Sequence, residues 1–267
     1  MSTPTETFQV SPEAAEVYES RFVPALFATW CEDVLGVAGP SPGQHVLDVA
    51  CGTGVVTRAV ADRLAGDGRV VGLDLNPTML AVAARVRPDI EWRQGDAAHL
   101  PYADGAFDLV TCQAALMFFP SPVAALREMG RVTRPDGAVV VLVPGRFESS
   151  PAYVRLAEVC AAHVPGAGDL LRAYFAHGDL EALAGLFTRA GLRVESTRTD
   201  MHDVVFDSID EFVATEVGAT PLADRVDAAS YGRLLADARD ALAEYVALDG
   251  RSRVPIESHV VRALPAG

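Results

Sequence analysis

No lysine occurs among the 267 residues, and all 22 cationic side chains are arginine. That absence excludes a phosphate-loop lysine, a Schiff-base lysine and pyridoxal-phosphate chemistry. Positive charge is short overall, with a formal net charge of −14. Nucleic-acid binding rests on clustered cations, so a phosphate-backbone partner is not expected. Cysteine is sparse: Cys31, Cys51, Cys112 and Cys160 stand at least 20 residues apart with no CxxC pair. Zinc is therefore not expected, and reduced thiols are. No apolar run approaches the ~20 residues that span a bilayer. The beginning, MSTPTETFQVSPE, is polar and acidic, unlike a secretory signal. A cytoplasmic protein without a membrane span is the expectation.

What is present is a regular alternation. Residues 11–38 are predicted helical, with Ser11 as N-cap, Pro12 in the first turn, and Pro24 dividing the region into two helices. Strands are expected at 45–50, 69–75, 90–96, 106–113 and 138–144. Helices separate them, opened by Asn76-Pro77 and by Ser121-Pro122 among others. Short, nearly continuous apolar strands alternating with helices indicate a parallel sheet covered on both faces, doubly wound. Residues 146–177 look like a partly helical insertion broken at PGAGD. A helix at 178–191, a strand at 192–200, a mostly helical stretch at 203–250 and a closing strand at 255–265 complete the chain. The expected organisation is one domain over 1–267. Its N-terminal helices lie at 11–38, its core at 40–145, 178–200 and 255–265, and two lid segments at 146–177 and 203–250.

The stretch VLDVACGTG (46–54) puts one aspartate, Asp48, in a buried strand and then breaks into a glycine turn. Glycine lets the backbone turn tightly and approach a ligand. The helix that follows offers free N–H groups and a positive dipole end. Two further carboxylates fall at strand ends. Asp74 closes the second strand, where an acid can accept from both hydroxyls of a ribose. Asp96, in QGDAAHLP, is suited to the exocyclic amine of a base. Either alone is commonly a cap or turn former; three in register with a glycine turn point to a ligand at the carboxyl ends of the strands.

Four stretches together, VLDVACGTG, GLDLNPTML, QGDAAHLPYADGAFDLV and LREMGRVTRPDGAVVVLVPG, resemble the class I S-adenosylmethionine (SAM)-dependent methyltransferases. Within that class the likeness is to the small-molecule group that includes the ubiquinone and menaquinone C-methyltransferases. It covers roughly residues 40–145; beyond that only ESHVVRALP resembles the group's antiparallel seventh strand. The resemblance implies a seven-stranded, mostly parallel Rossmann-like sheet and S-adenosyl-L-methionine as cofactor. It implies that Asp48 orients the turn and the methionine amine, through water, while Ala50, Gly52 and Gly54 cradle the amino-acid end. Asp74 would hold the ribose, Leu75 and Met79 the adenine face, and Asp96 with the Ala97 N–H the adenine edge. Gln113 would face the methionine portion, and Tyr18 could close over the cofactor. Ala50 departs from the glycine found in many members, so its backbone is expected to stay in a region open to alanine.

A dinucleotide oxidoreductase shares the strand, the turn and the second-strand acid, but its G-x-G-x-x-G fingerprint fails on the series Ala50, Gly52, Gly54, Thr57. A non-catalytic SAM-binding regulatory protein would carry the same motifs and stays open. A sulfonium methyl is already activated, so holding an acceptor within ~3 Å and excluding water supplies much of the acceleration. A base is needed only when the acceptor must lose a proton. Candidates are His163, His177, His202, His259, Tyr153 and Tyr174, with His177 at a helix start foremost. His99 is expected to be structural, and His45 to lie away from the site. No acceptor-specific motif is visible. The aromatics Tyr153, Phe175, Phe206, Phe212, Tyr231 and Tyr245 in the lid segments suggest a small, largely apolar acceptor.

Overall fold

Small polar residues followed by proline begin several of the helices. In the computed structural model, which describes residues 8–266, the Ser11 hydroxyl accepts the Ala14 N–H and Pro12 opens α1 (Pro12–Val17). Pro24 does not end a helix as expected. Residues Tyr18–Phe27 form π-helical turns that run without a break into α2 (Ala28–Ala38). The shifted hydrogen-bond register of π turns absorbs the N–H that proline lacks. Residues four and five apart then share a face, so Tyr18, Phe22 and Phe27 stack with ring centroids 4.9–5.9 Å apart.

The central alternation forms β1 (His45–Val49), α3 (Val55–Leu64), β2 (Arg69–Asp74), α4 (Pro77–Val86), β3 (Glu91–Gln94), β4 (Phe107–Gln113), α5 (Pro122–Val132) and β5 (Thr133–Pro144). Asn76 and Ser121 cap α4 and α5 as their Asx/Ser-Pro signals predict. After β5 come α6 (Pro151–His163), α7 (Ala167–Ala173), α8 (Leu180–Arg189), β6 (Leu192–Phe206), α9 (Ile209–Gly218), α10 (Ala228–Ala241) and β7 (Ser252–Pro265). The stretch expected to turn helical at 203 is still strand to Phe206. Val204 and Phe206 are buried while their neighbours are more open, a period-2 pattern, and the strand pairs with β7 as far as Phe206–Ser252.

The seven strands order as β3-β2-β1-β4-β5-β7-β6, with β7 antiparallel to both neighbours. The fold is thus the doubly wound, mostly parallel sheet that the sequence predicts. Val140 and Leu142 of β5 face one core with Trp30 and Val34 of α2. Val139, Val141 and Val143 face the other, with Leu126 and Met129 of α5 and Phe187 of α8. β1 and β4 lie side by side but are joined to opposite halves of the sheet. The crevice beyond their carboxyl ends is where such sheets take ligands. Among the described residues no helix is long and apolar enough to cross a membrane.

Candidate active site

Asp48 sits on the penultimate residue of β1 and is 1 % exposed. Its two oxygens accept the hydroxyls of Thr57 (2.6 Å, from α3) and Thr111 (2.9 Å, from β4). Burial pushes its carboxyl up to about 6, against the pull of those hydroxyls. The carboxylate therefore ties β1, β4 and α3 together beneath the turn. The side chain does not line the cavity described below.

The turn itself departs from expectation at two places. Ala50 adopts a left-handed backbone with φ 55°, where an L-residue pays of order 1–2 kcal/mol. Gly54 (φ 89°) caps α3 but does not line the cavity. Its neighbour is the indole of Trp92, which lies across Gly54 and Gly72 so closely that a Cβ on either would overlap the ring. The indole N–H is anchored on the Arg87 carbonyl at 2.9 Å. Gly54 is glycine for that packing as well as for its φ.

A cavity of about 380 Å³ opens at the carboxyl ends of the strands. Ala50 and Gly52 form its floor, and the Gly52 N–H donates to Asp74 Oδ2 at 2.8 Å. Asp74 Oδ1 accepts the Asn76 N–H, also at 2.8 Å. The side chain is only 9 % exposed, and burial raises its pKa despite those two donors. A carboxylate has about four lone-pair sites, so with backbone donors at Gly52, Asn76 and Leu75 it keeps capacity for a ligand. Leu75, Met79, Asp96 and Ala97 continue the wall. Asp96 accepts the Ala98 N–H at 2.8 Å and stands 3.2 Å from His99 Nδ1, so His99 borders the cavity rather than serving only its loop. Tyr18 lies over Gly52, with its hydroxyl 3.7 Å from where a Cβ would stand. Gln113 donates Nε2 to the Phe27 carbonyl at 3.1 Å, while its buried Oε1 has no partner. Among the described residues no arginine lines the cavity, and the carboxylates that do are Asp74, Asp96 and Glu216.

The far half of the cavity is built by the segments after β5. Tyr153 of α6 and Tyr174 and Phe175 beyond α7 line it. Phe206, Phe212, Tyr231 and Tyr245 do not: Phe212 packs behind Tyr153 (5.5 Å) and against Phe206 (5.1 Å). His177 is largely buried, which lowers its pKa, and it is absent from the lining. The other histidines are held elsewhere, His163 by Asp237, His202 by Asp33, and His259 between Thr199 and the Gly178 carbonyl. Glu216 is the residue that sequence reasoning missed. The stripe Ile209, Phe212, Val213, Glu216, Val217 on α9 has helical core spacing, and a glutamate inside it was the available signal.

A family model described as a methyltransferase domain matches residues 47–141. The demethylmenaquinone methyltransferase of Renibacterium salmoninarum is 48 % identical over 112 residues, which are 42 % of this chain and 46 % of that protein. That of Lysinibacillus sphaericus is 35 % identical over 149 residues, 55 % and 57 % of the two chains. The alignments thus span about half the length of these curated relatives. Among solved structures, a protein of Anabaena variabilis described as a methyltransferase from an antibiotic biosynthesis pathway superposes with a TM-score of 0.67 at 16 % identity. That match covers 87 % of this chain and 96 % of the other. The 4+2 cyclase SpnF superposes with a TM-score of 0.54 at 24 % identity over 90 % and 81 %. These likenesses show the fold alone. The resemblance in the four sequence stretches accordingly holds in the family model, in the relatives and in the sheet order.

Proposed function

We propose that this chain is a SAM-dependent methyltransferase acting on a small, largely apolar acceptor of quinone type. The observation that carries this is a single cavity with two unlike halves. One half has the glycine turn, Asp74 and Asp96; the other is walled by Tyr153, Tyr174 and Phe175. The demethylmenaquinone methyltransferases matched over 112 and 149 residues support the quinone class.

The residues present fit the cofactor. The Asp74 lone pairs suit a ribose diol, and the orphaned Gln113 Oε1 awaits a donor such as an ammonium. The floor at Gly52 is open to a chain passing under Tyr18. Tyr18, Phe22 and Phe27 line the cavity and, among the described residues, no arginine does, an environment that favours a cation. In this reading Asp74, Asp96 and the Ala97 N–H hold the nucleoside, with Leu75 and Met79 against the base. Asp48 and Gly54 act from behind, keeping the turn in shape. Bound SAM would supply an activated methyl; the chain's own work is to hold the acceptor in line with it and exclude water. Residues 146–177 and 207–250 serve as a lid on one domain. The acidic surface disfavours nucleic acid as acceptor, and four buried free thiols accord with a cytoplasmic setting.

Calorimetric titration tests the proposal: SAM and S-adenosylhomocysteine should bind at one site per chain in the micromolar range. Acceptor panels incubated with SAM should yield S-adenosylhomocysteine with apolar phenols and hydroquinones. NAD binding in place of SAM would overturn the reading.

A further inference from the structure

Glu216 is buried to 1 % in a wall it shares with Tyr153, Tyr174, Phe175, Thr220 and Ile256. Its Oε1 accepts the Tyr153 hydroxyl at 2.6 Å. Its Oε2 is fully enclosed and has no hydrogen-bond partner, although the residue borders the cavity. Leaving a buried carboxyl oxygen unpaired is costly, so an orphan of this kind in a ligand cavity marks a place for a donor. Tyr153 cannot turn to fill it, because its ring is wedged between Phe175 (5.3 Å) and Phe212 (5.5 Å).

We infer that Glu216, positioned by Tyr153, receives the proton of a ring hydroxyl on the acceptor, which makes the acceptor a phenol or enol. The inference deepens the methyltransferase reading and rests on it. In the step, the acceptor O–H bond breaks and the proton bonds to Glu216 Oε2. The electron pair stays on the acceptor oxygen, enriching that oxygen and the ring carbons conjugated with it. The proton passes to water when product leaves. The titratable groups that act on Glu216 among the described residues are Tyr153 and Cys160, both from α6, with Tyr174 beyond Tyr153; none of them is cationic. Burial accordingly pushes the Glu216 carboxyl up to about 8, with the Tyr153 hydroxyl pulling it down. A carboxyl so placed is poised against an ordinary phenol of pKa ~10, where a fully solvated glutamate would be too weak a base. It also offers little fixed charge to an ammonium near neutral pH.

The test titrates the intact protein with 2-naphthol, naphthalene and 2-naphthylmethylamine, and separately with SAM, in wild type, Glu216→Gln and Tyr153→Phe. Wild type should bind 2-naphthol at least ~10-fold more tightly than naphthalene, with an affinity that rises with pH through about 8. Glu216→Gln should lose most of that preference and the pH dependence while binding SAM as wild type does. Tyr153→Phe should move the pH midpoint upward, a shift that a merely structural role would not produce; it also decides the matter if the glutamine variant does not fold. Any phenol methylation found should fall ~100-fold or more in Glu216→Gln. Unchanged naphthol affinity and pH profile in Glu216→Gln, or tighter binding of the ammonium probe, would overturn the role of Glu216. Failure of wild type to bind SAM would overturn the methyltransferase reading, with the naphthol titrations still deciding Glu216.

Discussion

Replacing Gly54 by alanine should damage the protein through one aromatic ring. The new Cβ would overlap Trp92 Cη2 and stand 2.7 Å from Cζ3, and the residue would still be held at φ 89°. A left-handed L-residue costs roughly 1–2 kcal/mol, and forcing a packed ring aside typically costs ~1–3 kcal/mol more. The sum, ~2–5 kcal/mol, corresponds to a fall in Tm of roughly 5–15 °C for a chain of this size. The ring cannot simply swing away, because its indole N–H is fastened to the Arg87 carbonyl and its body also covers Gly72. Urea unfolding of wild type, Gly54→Ala, Trp92→Leu and the double variant separates the two contributions. In the leucine background the alanine should cost only its backbone strain, leaving a coupling of ~1–3 kcal/mol. Equal costs in both backgrounds would refute the claim that Trp92 is what Gly54 accommodates. A cost below ~1 kcal/mol in wild type would refute the turn geometry as a whole.

Asp74→Asn should weaken SAM binding by calorimetry more than Asp96→Asn, because Asp74 is buried with both oxygens fixed on backbone donors whereas the Asp96 side chain is about half exposed. Charge-assisted hydrogen bonds to the ribose at ~1.5–3 kcal/mol each set the scale. Ala50→Gly should relieve the left-handed alanine, and after glycine's extra chain entropy a gain of up to ~1 kcal/mol should appear in urea unfolding. Glu216 is held above its ordinary 4.5, at about 8, so the fold retains a proton there that the unfolded chain gives up. Its contribution therefore favours folding at low pH and is lost as pH rises from about 4.5 to about 8. The stability of wild type relative to Glu216→Gln should fall across that window and level off above it, as measured by unfolding at stepped pH.

Strand ends and helix starts were legible because their causes are local. Asp74 closes an apolar run, and Asn76-Pro77 and Ser121-Pro122 are caps in any context. What escaped depends on residues distant in the chain. Pro24 reads as a break until Tyr18, Phe22 and Phe27 are seen to stack in π turns over the cavity. Ala50 looks like an ordinary substitution, yet the turn geometry holds it at φ 55°. Asp48 reads as orienting the turn, but its partners are the hydroxyls of Thr57 and Thr111, 9 and 63 residues away, which no local pattern reveals. Glu216 announces itself as a misfit in its helical stripe, but only the assembled cavity shows what its free oxygen meets.

Both segments that wall the far half of the cavity leave the rest of the fold and return to it at nearly the same point. Residues 146–177 begin at Gly145, and Gly178 returns so close to it that a Cβ there would strike the Gly145 carbonyl. Residues 207–251 begin after Phe206 and return at Ser252, its partner in the β6–β7 ladder. Closed loops of this kind can lengthen, shorten or be exchanged at small entropic cost, since their ends stay joined whatever lies between. Heredity can thus treat the two walls as cassettes. Lineages sharing residues 47–141 are free to diversify what they accept without rebuilding the turn that β1, β2 and Trp92 hold in place.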